Sequence, residues 1–185
     1  AIRRQRQMCI RDSISSDEQL HTQFYNRLLQ VENVADSLQY DMYHLMQAET
    51  PDDTLAALSE TRSNLSMFQA SFNLSYISVF LPDEHMGAQE NLYFFPLSGL
   101  SDFQIPRNAL DNPGTSSIWF YQKELSVPFL VSNTHDISDT IACCRILKHP
   151  DTGTLEYAYI IHLNASEFSS ILQESFQDKS ISSYI

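Results

Sequence analysis

Basic residues are scarce in this 185-residue chain, where eleven Lys and Arg stand against 23 Asp and Glu for a formal net charge of −12. No basic stripe exists to neutralise phosphates, which argues against a nucleic-acid partner. The same imbalance disfavours electrostatic attachment to anionic lipid. No run of 18 apolar residues occurs, so no transmembrane helix is written in this stretch. Of the three cysteines, Cys143 and Cys144 are adjacent on a predicted strand. Neighbouring strand side chains point to opposite faces, so a bond between these two would need distorted backbone. They read as small buried hydrophobes. The six histidines show no HxxxH or HxxEH spacing, which removes the usual helical metal motifs. GxGxxG, GxxxxGK, GxSxG and CxxC are all missing. Without a phosphate-cradling loop or a nucleophile elbow, neither an enzyme, a cofactor nor a metal site is expected.

What is present is organised around a predicted β-hairpin from Asp139 to Leu163. Its first arm, Thr140 to Leu147, is apolar and interrupted by one charge, Arg145. Its second arm, Leu155 to Leu163, is rich in aromatic and β-branched residues that suit a mostly buried pleated surface. Between them Pro150 fixes φ and Gly153 supplies a positive φ, so the chain reverses there.

The start of the chain reads differently. Arg3 to Ser13 can be back-translated, codon by codon, into a string that resembles a transposon-type sequencing adapter read in frame. Residues 1–13 are therefore set aside from fold reasoning, as a tag would be. From Asp17 to Gln47, Leu20, Phe24, Leu28, Val31, Ala35, Leu38, Met42 and Leu45 form one stripe at alternating spacings of three and four. That is a long helix, capped at Ser15 or Ser16, whose stripe packs on its own domain or forms a helical homodimer seam. Thr50-Pro51-Asp52-Asp53 separates it from a second helix, Thr54 to about Phe72, with Asp52 or Asp53 as cap and Leu55, Leu58, Leu65 and Phe68 inward. Tyr76 to Leu81 and Leu92 to Phe95 read as strands, each ended by proline. Ser98 to Thr115 reads as a long loop of the kind that carries function. Ser126 to Val131 is a further strand, Ala165 to Gln177 a closing helix, and Ile181 to Ile185 the start of another strand.

Several side chains are candidates for a site. Trp119 and Tyr121 follow the long loop on one side of an extended segment, either lining a pocket or filling the core. Tyr93 on the second strand is counted with them. Arg145 must be paired at that depth, with a protein carboxylate or with an anionic ligand. Asp136, near His135 and Asp139, offers a polar contact to a ligand amine or is a solvated turn.

This order of elements, with Tyr76-Ile77-Ser78-Val79-Phe80-Leu81-Pro82, Trp119-Phe120-Tyr121 and Tyr159-Ile160-Ile161-His162-Leu163 as the telling stretches, resembles the membrane-distal lobe of a double Cache (PAS-like) domain. Such lobes belong to the extracellular regions of bacterial sensor histidine kinases and AraC-type regulators. The resemblance covers Asp17 to Ile185 and implies an α+β fold, an antiparallel PAS-like sheet flanked by helices. It makes residues 14–50 a signalling helix, 51–178 the distal lobe, and 179–185 the opening of a second lobe. It implies a small-molecule sensor on the extracellular face of a bacterial cell membrane, or else a ligand-free structural or protein-interaction lobe of such a receptor. The expected ligand, small, polar and at least partly anionic, would lie between the sheet and the long loop, against Trp119, Tyr121 and Arg145. The amino-acid-binding branch of the family has Arg two residues before a Trp-Tyr pair. Ser117 holds that place here, and Phe120 follows Trp119, so free amino-acid binding is not carried over.

Overall fold

The computed structural model describes residues 2–86, 92–111, 113–126, 136–149 and 151–169. Helix α1 runs Ile2–Met46 and α2 runs Pro51–Ser71. Strand β1 is Tyr76–Leu81 and β2 is Phe94–Pro96. A 3-10 segment, Leu97–Phe103, and a short helix α3, Arg107–Asp111, lead to β3 at Gly114–Ser126. Strands β4, Asp136–Lys148, and β5, Leu155–Asn164, complete the sheet. The class is α+β, as the sequence predicts.

One compact unit takes in α1 up to Gln30 together with the chain from Ala165. Within it Phe24 stacks on Phe168 at 5.0 Å between ring centroids, and Arg27 pairs with Glu167 at 2.9 Å. The other unit is Val31–Asn164 and holds the sheet. Its strand order is β2-β1-β5-β4-β3, which puts the second arm of the hairpin in the middle. Cys144 lies opposite Ile160 and Arg145 opposite Tyr159 in an antiparallel register, and Gly153 takes its positive φ of 68° in the connection. Every residue of β5 from Tyr157 to Leu163 is buried, so both of its faces are covered.

The two faces have different neighbours. Tyr76 and Phe80 of β1, Ala142, Cys144 and Ile146 of β4, and Ala158 and Ile160 of β5 share one face. Against them pack Phe95, Leu100, Phe103, Ile105 and Ala109. The opposite face, with Tyr159, meets α1, whose Val31, Val34, Ala35, Leu38, Met42 and Leu45 are all buried. From Val31 on, the apolar stripe of α1 is therefore spent on its own sheet.

Some expectations are corrected. Helix α1 starts at Ile2 and not at a Ser15 or Ser16 cap, because no Gly or Pro interrupts a run of good helix formers. Helix α2 is capped by Thr50, whose hydroxyl accepts from the Asp53 N–H, while Pro51 fills the first turn where no donor is needed. Leu55 is 64% exposed and not inward. Residues 98–115 are not a loose loop: Leu97, Leu100 and Phe103 recur every three residues, the period of a 3-10 helix, and so bury one side. The sheet is not wholly antiparallel, since β2 runs parallel to β1. The segment between them, Pro82 to Tyr93, is long enough for a crossover instead of a hairpin. Of the predicted strand Ser126–Val131, Ser126 closes β3 and the rest lies outside the described residues. The closing helix is present over residues 165–169; its continuation to Gln177 and the strand from Ile181 lie outside them too.

Candidate functional site

Arg145 is the one charged side chain among the buried polar residues of the described chain, and it organises the helix-facing side of the sheet. A guanidinium at that depth needs its donors matched. Its Nε donates to Ser117 Oγ at 2.8 Å. Nη1 donates to Asp36 Oδ1 at 2.7 Å and to Gln39 Oε1 at 3.0 Å. Nη2 donates to Glu32 Oε2 at 2.8 Å. Glu32, Asp36 and Gln39 stand at spacings of four and three, hence on one flank of α1, beside the stripe that packs on the sheet. Ser117 comes from β3, next to the irregularity between Gly114 and Ile118 that shifts its register with β4.

Glu32 is the hub. Its Oε1 accepts from Trp119 Nε1 at 2.9 Å, and its Oε2 accepts from Ser117 Oγ at 2.5 Å as well as from Arg145. Burial pushes this carboxyl up, but the donors of Ser117, Arg145 and Trp119 outweigh it and hold the net pKa below the ordinary value. One further bond ties the sheet to the helix, from Tyr159 Oη to the Ala35 carbonyl at 2.7 Å.

Among the sequence candidates, the structure thus brings Trp119 and Arg145 together through Glu32. Tyr121 lies two residues along the same face of β3 but is 58% exposed, and its hydroxyl donates to Asp139. Tyr93 is at the far edge of the sheet, where its hydroxyl donates to Gln69 Oε1 of α2 at 2.9 Å. Asp136 opens β4 opposite Ser126; its side chain lies outside the described ones. The roof expected over Trp119 and Arg145 covers the other face of the sheet, since Leu100, Phe103 and Ala109 pack with Cys144 and Ile160.

Every nitrogen of Arg145 is already engaged by protein oxygen, so the side chain acts as an internal clasp and not as an anion receptor. Sequence reasoning missed Glu32, Asp36, Gln39 and the role of Ser117. An acidic pair at i, i+4 flanking a buried stripe was the one available signal. Among the described residues no group of His, Cys, Asp and Glu is placed to hold a metal ion, and no helix is long and apolar enough to cross a membrane. No protein-family model matches the chain, and a search of curated proteins finds no match either.

Proposed function

We propose that this chain is a non-enzymatic sensor lobe of the PAS-like kind, from the extracytoplasmic part of a bacterial transmembrane receptor such as a histidine kinase or an AraC-type regulator. Its task is to bind a small molecule and pass a shift of the sheet to α1. The observation that carries the reading is the Arg145 clasp. A central strand is joined through one buried cation to a helix more than a hundred residues away in sequence, so a displacement of either is felt by the other. A ligand biases such a coupled pair only by preferring one arrangement of it.

A second reading has its own support. Arg145 is satisfied by the protein's own carboxylates, and the opposite face carries an apolar cluster, as in a structural or protein-interaction lobe that binds no small ligand. Thermal-shift screening of organic acids, sugars, amino acids and amides separates the two. A saturable rise in Tm with one chemical class supports sensing, and a flat response to all classes supports the structural lobe. Sequencing the flanks tests the receptor assignment, which requires a membrane span before α1 and an output domain after a second lobe.

A further inference from the structure

Beside the Arg145 clasp, within the unit Val31–Asn164, a groove of about 690 Å³ runs between α1 and the turn end of the β4–β5 hairpin. Its volume falls in the range of small-molecule sites, about 300–1,000 Å³. The opening has a structural cause. Strand β3 begins at Gly114, opposite Ile146, so its pairing with β4 stops short of Leu147 and Lys148. Asp36, Gln39, Tyr40 and Tyr43 of α1 form one wall, on the flank that also carries Glu32. Lys148 of β4 and Glu156 and Tyr157 of β5 stand across from them. Tyr40 and Tyr43 are each more than half exposed, yet both rings lie edge-on to His44, at 4.4 and 6.0 Å between centroids, which limits their swing. Tyr157 is only 4% exposed, and its hydroxyl has no hydrogen-bond partner among the described residues. A phenol at that depth ordinarily has one.

We infer that this groove is a binding site for a neutral saccharide, whose pyranose ring lies on Tyr40 and Tyr43 and whose hydroxyls meet Gln39 and Tyr157. The inference rests on the sensor reading above and names its ligand class and place. A pyranose has a flat C–H face and a rim of hydroxyls, the complement of exposed aromatic rings bordered by polar groups. The groove supplies donors and acceptors together. Gln39 gives its Oε1 to Arg145 at 3.0 Å and keeps its Nε2 to donate, while Tyr157 Oη can donate or accept. Burial, aided by the Glu156 carboxylate, pushes the Tyr157 phenol up to about 12, so it holds its proton at physiological pH. The formal charges cancel: Asp36 is matched by Arg145, and Glu156 and Lys148 offset each other in sign. An ion of either sign would thus gain no net counter-charge here. Asp36 lines the groove and also binds the guanidinium, so a saccharide held here abuts the clasp that joins β4 to α1.

The test uses the whole chain with 13C-labelled tyrosine and 15N-labelled tryptophan. The probes are cellobiose and the methyl pyranosides of glucose, galactose, mannose and N-acetylglucosamine. Glucuronate and glucosamine serve as charged counterparts, and glycerol as a polyol without a ring face. At least one neutral pyranoside is expected to bind saturably and move the ring signals of Tyr40, Tyr43 and Tyr157, and the charged sugars and glycerol to do neither. Tyr43→Ala and Tyr157→Phe should each weaken that probe roughly three- to tenfold, the worth of a stacked ring or of one hydrogen bond, without lowering the Tm of the unliganded chain. Tyr25→Ala, on α1 but not lining the groove, should bind as the unaltered chain does. Tyrosine signals that no pyranoside moves overturn the site, as does equal binding of glucuronate, glucosamine or glycerol, or full affinity in both groove variants. A Tyr157→Phe chain that melts several degrees lower shows that the hydroxyl has a structural partner, which overturns the site as well. The Trp119 indole N–H, bonded to Glu32, separates the site from the sensor reading. Pyranoside shifts at the tyrosines with Trp119 unmoved keep the site and sink the sensor reading. Other compounds that move Trp119 while the tyrosines stay unmoved keep the sensor reading and sink the site.

Discussion

Removing Asp36 and removing Glu32 should have very different consequences, although their carboxylates lie 2.7 and 2.8 Å from the same guanidinium. Distance alone would rank them equal. Burial does not: Asp36 is 68% exposed and Glu32 is 31% exposed, against 5% for Arg145. A carboxylate that faces water gains little from its cation, because solvent screens the pair and rehydrates the group when the pair breaks. Asp36→Ala should therefore cost about 0–1 kcal/mol. Glu32→Ala removes the acceptor for three donors at once, Arg145 Nη2, Ser117 Oγ and Trp119 Nε1. It leaves a buried cation short of a counter-charge, a defect that costs about 3–5 kcal/mol. Arg145→Met should fall between the two. Glu32 would keep Ser117 and Trp119, Asp36 would turn to water, and a hydrophobe would fill the space of a desolvated charge. The assay is urea unfolding at pH 7 followed by circular dichroism, since the lone tryptophan sits inside the perturbed cluster. The slopes must stay constant for midpoints to be compared. Equal losses for Asp36→Ala and Glu32→Ala would refute the argument, because burial would then not decide what the pairs are worth.

Three further outcomes follow from the same geometry. His162 is depressed from 6.5 to about 3 by burial, so its contribution to stability is complete above pH 6.5 and is lost as pH falls toward 3. The slope should be ~1.4 kcal/mol per pH unit, or about 2 kcal/mol between pH 6.5 and pH 5, and His162→Phe should flatten it in urea titrations at those two pH values. Glu32, depressed below 4.5, adds its own loss only below that pH, so the span from pH 6.5 to pH 5 leaves Glu32 out. Ile160 and Ile161 point to opposite faces and are both fully buried; each change to Ala should cost ~2–5 kcal/mol, and a cheap one would mean its face is not packed. Thr50→Ala should lower stability by about 1 kcal/mol through loss of the α2 cap, and an unchanged urea midpoint would show that Pro51 starts the helix unaided.

The hairpin was legible because its signals are local. Apolar arms, a Pro-Gly reversal and β-branched enrichment all fall within one stretch, and the register places them as expected. The stripe from Val31 to Leu45 was equally plain, because a helix repeats its pattern every turn. What escaped was non-local or hidden by composition. Arg145 meets Glu32 across 113 residues, and no local pattern encodes that meeting. Polar Ser, Pro and Gly between Leu97 and Pro113 obscured a period of three that buries Leu100 and Phe103. The direction of β2 depends on the path of the preceding segment, which strand-forming residues do not record. For the site, Trp119 and Arg145 do meet, but through Glu32 of a helix whose apolar stripe alone carried a sequence signal.

The spacing of the residues around Arg145 also limits how α1 can move. A slide by one turn, about 5.4 Å along its axis, would bring Asp36 to the place of Glu32 and Tyr40 to the place of Asp36. Tyr43 would then replace Gln39. The guanidinium would keep one carboxylate and meet two phenols, and Trp119 and Ser117 would have to re-pair with the shorter Asp36. Hydrogen-bond geometry tolerates shifts of a few tenths of an ångström before such contacts fail. Arg145 therefore works as a detent that opposes translation of α1 along its axis. Sliding of α1 along the sheet is the displacement within this unit that the cluster resists most directly.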